Sequence, residues 1–235
     1  MEWLKRPALW LVVGLALILS ACTSTRQFAQ VTSLDAGDDG LRILLMPLDV
    51  ELSSLQASGM LEPNAEWTAT AKELLLESIM EFQAGRAATV IPVDPAAFTR
   101  RDAALVQVQR LHGAVGQTIF LHKFMAVELP TKKDKFDWTL GPGTAALADE
   151  YGTDYALFIH VRDSYTSGGR FALQLAAGLM GVGLSGGEQV GFASLVELKS
   201  GKVVWFNFLH DETGDLRTRK GAERTVANLL GKMPQ

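Results

Sequence analysis

A chain of 235 residues, 48% hydrophobic and 20% charged, is long and apolar enough to build one sizeable core and excludes a disordered or fibrous composition. A formal charge of −4 with no polybasic tract excludes nucleic-acid binding of the usual kind, which needs a cationic stripe to neutralise phosphates. The single cysteine, Cys22, excludes a disulfide within the chain, so stability must come from packing.

The first segment reads as an export signal. Lys5 and Arg6 precede an apolar core over residues 11–19, and the small residues Ser20 and Ala21 stand just before Cys22. Polar Thr23, Ser24 and Thr25 arrive too early for the roughly 20 apolar residues of a membrane span. Leu19-Ser20-Ala21-Cys22 resembles the lipobox of bacterial lipoproteins. The resemblance implies removal of residues 1–21 and acylation of Cys22 on its sulfur and its new amino terminus. Cleavage would shift the formal charge one unit further negative, because Glu2, Lys5 and Arg6 are lost. Thr23 stands where an inner-membrane retention signal carries aspartate, which implies the outer membrane with the body facing the periplasm. Each buried acyl CH₂ is worth about 0.8 kcal/mol, so two or more chains hold firmly. Residues 22–40 lack helical or alternating periodicity and end in Asp and Gly, and read as a flexible tether of roughly 20 to 25 Å.

From Leu41 onward strands and helices interleave. Residues 41–50, "LRILLMPLDV", form a nearly continuous apolar run, the pattern of a strand buried on both faces. Asn64 caps a predicted helix in which Trp67, Ala71, Leu74, Leu75, Ile79 and Phe82 recur at 3.6 spacing, and Gly85 ends it. Residues 87–93 form the next strand. Leu105, Val108, Leu111, Val115 and Ile119 make a second helical stripe, weakened or bent at Gly113 and Gly116. A charged loop follows at residues 132–135, then a short helix over 144–151 closed by Gly152, and a buried strand over 155–161. Ser200-Gly201 divides the segment from Glu188 to His210 into a hairpin, and the last helix places Ala222, Val226, Leu229 and Leu230 on one face. This order predicts a single α/β domain over 41–235, a mixed β-sheet flanked by helices with a carboxyl-terminal hairpin and helix.

"ALADEYGTDYALFIHV" resembles the helix, Gly-x-Asp-Tyr turn and strand of the TolB amino-terminal domain and of the curli-secretion lipoproteins. "GFASLVELKSGKVVW" resembles the hairpin that follows in those families, and with "ILLMPLDV" the likeness covers most of the chain after Gly40. It implies an accessory of envelope assembly or secretion, with no catalytic residues to carry over. The long membrane-crossing hairpins of curli channel subunits have no counterpart here; the chain carries instead a charged segment at 132–135 and one apolar insertion, residues 168–187.

That insertion contains two enzyme-like motifs whose surroundings argue against them. Gly181-Val182-Gly183-Leu184-Ser185-Gly186 fits the dinucleotide fingerprint but does not follow a strand and open a helix. Gly183-Leu184-Ser185-Gly186-Gly187 fits the nucleophile elbow, yet His210 and Asp211 follow in the wrong order, with too little fold between them. The four histidines, His112, His122, His160 and His210, show no metal-ligand spacing. No cofactor or metal is expected. Asp49 and Glu51 at the end of the first strand form, with Trp67, the best candidate small-ligand site if all three line one pocket.

The leading expectation is therefore a lipid-anchored, non-enzymatic envelope lipoprotein that binds envelope proteins or copies of itself. The alternatives are a small-ligand or carbohydrate-binding module and a serine hydrolase using Ser185. The surfaces expected to bind are the exposed edge of the final hairpin and a helix over residues 171–184, where Phe171, Leu175 and Leu179 share one face and meet protein rather than lipid.

Overall fold

The computed structural model describes residues 23–34, 40–94, 96, 103–125 and 127–235. The segment read as an export signal and Cys22 lie outside the described residues. Among the described residues eight strands form one mixed sheet, with helices on both faces. The strands are β1 (Thr23–Ala29), β2 (Arg42–Leu45), β3 (Asp49–Leu55), β4 (Leu61–Pro63), β5 (Thr89–Pro92), β6 (Tyr155–Thr166), β7 (Gln189–Glu197) and β8 (Val203–Asp211). The helices are α1 (Ala65–Gln83), α2 (Ala103–Lys123), α3 (Ala145–Tyr151), α4 (Gly168–Leu179) and α5 (Arg219–Leu230). The expected α/β architecture with a final hairpin and helix is present.

The sheet runs β1-β8-β7-β6-β2-β5, with β3 also on β6 and β4 on β3. β2 pairs in parallel with β5 and β6, while β6, β7, β8 and β1 are antiparallel neighbours. The twelve-residue β6 is the spine. Tyr155 to Leu157 pair with β2, and His160 to Thr166 pair with β3. The run at 41–50 is thus two strands, not one. Pro47 has no N–H to give the ladder, and its carbonyl accepts instead from Gln109 Nε2 at 3.1 Å.

Alternation on the strands sends side chains to two cores. Ile43, Leu45, Leu52, Leu157, Ile159, Leu195 and Trp205 pack with Leu75 and Ile79 of α1 and Val226 and Leu229 of α5. Leu44, Met46, Phe158, Phe192 and Phe206 pack on the other face with Leu105, Val108 and Ile119 of α2 and Leu147 of α3. Burial on both faces is why β6 and β8 read as continuous apolar runs. Local signals agree with this packing: the Asn64 side chain accepts from Trp67 N at 2.9 Å to cap α1, and Gly152 closes α3 in the left-handed region.

The expected tether is corrected at its start. All seven residues of β1 pair with β8, from Thr23 opposite Asp211 to Ala29 opposite Trp205, and Phe28 stacks on Phe136 at 5.2 Å. Leu34 is buried as well. Only Phe28 carries a large apolar side chain inward, so an edge strand held chiefly by its backbone ladder looks like a polar linker in sequence. The outer edge of the final hairpin is covered by β1, and among the described residues the edge strand on that side of the sheet is β1 itself.

Candidate functional site

One row of paired residues crosses five strands: Leu52 of β3, Asp163 of β6, Gln189 of β7, Asp211 of β8 and Thr23 of β1. Beyond this row β6 ends and the apolar insertion begins. Ser167 caps α4 by accepting from Arg170 N at 3.2 Å. The helix expected over 171–184 stops at Leu179, because Gly181 takes a φ of +77° that reverses the chain. The return segment is tied back by polar contacts: Arg170 donates to Ser185 O at 3.0 Å, Gln174 to Leu184 O at 3.1 Å, and Gly187 N to Thr166 Oγ1 at 2.9 Å. These ties use up the polar side chains on the inner side of α4. Outward the helix is apolar: Phe171 is 56% exposed, Leu175 57%, Leu179 92% and Met180 76%. The spacing by four does place Phe171, Leu175 and Leu179 along one exposed stripe. Met60 of the β3–β4 turn and Leu61 at the start of β4 are also exposed, and Ala57 and Gly59 of that turn approach Gly169 and Arg170.

Asp49, Glu51 and Trp67 do not line one pocket. Asp49 faces the α2 side, where Oδ2 accepts from His160 Nδ1 at 2.9 Å and Oδ1 from Arg162 Nη2 at 2.7 Å. Burial pushes this carboxyl up, but the hydrogen bonds and charges of His160 and Arg162 win and hold it well below the usual carboxylate range. Glu51 is exposed. Trp67 packs on the opposite face, edge-on to Tyr165 at 5.6 Å and beneath the Arg217 guanidinium at 5.1 Å. Nearness in sequence misled here because the sheet lies between the strand's acidic face and the helix. The His160 ring stacks on Phe192 at 4.6 Å, and both line a surface recess of about 170 Å³ with Arg162, Phe120, Val190 and Phe208.

Two further polar centres had no signature in sequence. His112 is buried, its Nε2 lies 2.5 Å from Ser194 Oγ, and its ring stacks on Phe158 at 4.3 Å. Burial pushes its pKa down to about 3, so the ring is neutral at physiological pH. Asp163, 2% exposed, accepts on Oδ2 from Tyr165 Oη at 2.5 Å, Gln189 Nε2 at 2.9 Å and Leu216 N at 3.3 Å. Its Oδ1 is buried with no donor among the described residues. Burial pushes this carboxyl up to about 6 despite the three donors. Burial and the neighbouring Asp163 charge likewise raise the Tyr165 phenol. The Arg217 guanidinium covers the Tyr165 ring at 3.7 Å. Asp163 and Tyr165, which both take the Leu216 amide, lock the carboxyl-terminal segment onto the sheet.

Ser185 lies on the exposed return loop, its carbonyl occupied by Arg170, while His210 pairs with Glu188 at 2.9 Å. Among the described residues no histidine hydrogen-bonds Ser185, and no group of three or more His, Cys, Asp or Glu side chains gathers as a metal site. No described helix is long and apolar enough to cross a membrane.

No protein-family model matches the chain, and no curated protein does. Among solved structures, two of the PelC dodecamer from Paraburkholderia phytofirmans are similar to it in outline. One, a single-substitution variant, is 13% identical with a TM-score of 0.40, covering 90% of this chain and 97% of that one. The other is 11% identical with a TM-score of 0.39, covering 91% and 99%.

Proposed function

We propose that the protein is a lipid-anchored, non-enzymatic lipoprotein of the outer membrane, facing the periplasm, that serves envelope assembly or secretion by binding other envelope proteins or copies of itself. The observation that carries the reading is the position of β1. Its first residue, Thr23, directly follows the lipobox cysteine and is already paired into the sheet. Acyl chains on Cys22 therefore hold the folded body against the membrane with no intervening linker, as suits a part of a membrane-bound assembly. Two surfaces follow. Among the described residues nothing pairs with the outer edge of β1, which offers backbone groups to a strand of a partner, and the stripe of Phe171, Leu175 and Leu179 offers apolar area at the end of the sheet nearest the anchor.

A photo-crosslinking residue in place of Arg26, exposed on β1, tests the binding role in intact cells. Discrete adducts with envelope proteins or with a second copy are expected, and Cys22→Ala should abolish them. An Arg26 position that gives no adducts in acylated, folded protein would count against a binding role for this edge.

A further inference from the structure

We infer that α4 lies in the surface of the bilayer that holds the anchor, with Phe171, Leu175, Leu179, Met180 and Val182 among the acyl chains. This rests on the acylation of Cys22 proposed above. The sheet supplies the geometry. Thr23 starts β1 on the row that passes through Asp211, Gln189 and Asp163, and α4 leaves β6 just beyond that row. β6 and β1 are three strand spacings apart, about 14 Å at the usual interval. A lipid at residue 22 thus brings its membrane to the end of the sheet that carries α4. Tethering of this kind raises the local concentration of lipid around any apolar group beside the anchor.

The chemistry of the helix fits that position. No charged residue occurs from Phe171 through Gly187. Within α4 only Arg170 and Ala177 are buried, so the helix covers little of its own sheet. Arg170 and Gln174 spend their donors on the carbonyls of Ser185 and Leu184, and the outward side carries no polar group in need of water. Exposed Met60 on the adjoining turn and Leu61 at the start of β4 extend the apolar area. Twelve residues make a helix about 18 Å long, short of the roughly 30 Å hydrocarbon core, which suits a helix lying in the interface and not one crossing it. In sequence, an apolar length too short to span a bilayer and glycines that permit close packing pointed to a protein partner for this stripe. The shared end of α4 and the chain's exit moves the choice to lipid.

The test uses the full acylated chain, whose only natural thiol is then blocked, with Leu179→Cys carrying an environment-sensitive dye. Leu179 is 92% exposed, so the substitution leaves the core untouched. A control label at Lys199→Cys sits at the opposite end of the sheet, by the β7–β8 turn. In phosphatidylethanolamine/phosphatidylglycerol vesicles containing doxyl-labelled lipid, the Leu179→Cys dye should shift to the blue and lose most of its emission, while the Lys199→Cys dye keeps its own. An unquenched dye at Leu179→Cys on vesicle-bound protein overturns the inference and leaves the anchor intact. So does a dye shielded without lipid quenching that crosslinks to a second copy, which assigns the stripe to protein. A wild-type chain that takes up dye at Cys22 carries no lipid there, and that result refutes the anchoring reading together with the posture built on it.

Discussion

Gly116→Ala should destabilise the protein, although alanine is the better helix former. A Cβ added at Gly116 would stand 2.1 Å from Phe192 Cε2 and 2.4 Å from Cζ, where ordinary carbon contacts are about 3.5 to 4.0 Å. The ring cannot move aside without breaking its own stacking. It is 3% exposed, stacked on His160 at 4.6 Å and Phe206 at 5.3 Å, with His112 at 5.5 Å. α2 must therefore lift from the sheet or the aromatic stack must open. Overpacking of a tight core costs typically 1 to 3 kcal/mol, and a shift of this size belongs at the upper end. Helix propensity returns about 1 kcal/mol, leaving a net loss of about 2 kcal/mol. In a chain of this length that lowers Tm by roughly 4 to 8 °C. Gly113→Ala is the matched control: its Cβ meets nothing nearer than Asp49 Oδ2 at 3.9 Å, so propensity alone should raise stability by about 0.5 to 1 kcal/mol. Urea and thermal unfolding followed by circular dichroism measure both. A Gly116→Ala protein as stable as the wild type, or two variants that shift alike, would refute the packing argument.

Asp163→Asn should change how stability responds to pH. The folded carboxyl, raised to about 6 by burial, binds its proton more tightly than the unfolded one, so its contribution is full below about pH 4 and lost as pH rises through about 6. The wild type should therefore lose stability relative to Asp163→Asn between those values, and parallel pH profiles would contradict the assignment. Asp49→Asn should show the opposite sign: the folded carboxyl is held low by His160 and Arg162, so the variant's deficit is present at neutral pH and shrinks as pH falls below about 4. A deficit unchanged at pH 3 would count against it. Amide hydrogen exchange tests β1 directly: if Thr23–Ala29 is paired with β8, its bonded amides should exchange far more slowly than those of a free coil.

Much of the fold could be read from the chain because burial on both faces leaves a strong pattern. The strand read over 155–161, which continues to Thr166, the Ser200-Gly201 hairpin and the stripe of Ala222, Val226, Leu229 and Leu230 all follow from it. What escaped was carried by backbone or by distance. β1 is polar and gains its place through a ladder that side chains do not advertise. β4 is three exposed residues opposite Ser53 to Leu55, and Pro47 divides an apolar run whose hydropathy does not change across the break. At the sites, spacing by four located the stripe on α4 correctly, but the turn at Gly181 ends the helix sooner than apolarity suggests. Asp49 and Trp67 lie close in the chain and on opposite faces of the sheet, whereas His112 and Ser194, 82 residues apart, meet inside it.

The proposed exit of the chain from its sheet directly into a lipid anchor is tested most directly by mass spectrometry of the amino-terminal peptide from protein purified out of intact envelopes. The expected mature chain begins at Cys22 and carries acyl groups on its sulfur and amino terminus. A chain retaining residues 1–21, or beginning elsewhere with an unmodified Cys22 thiol, would contradict it.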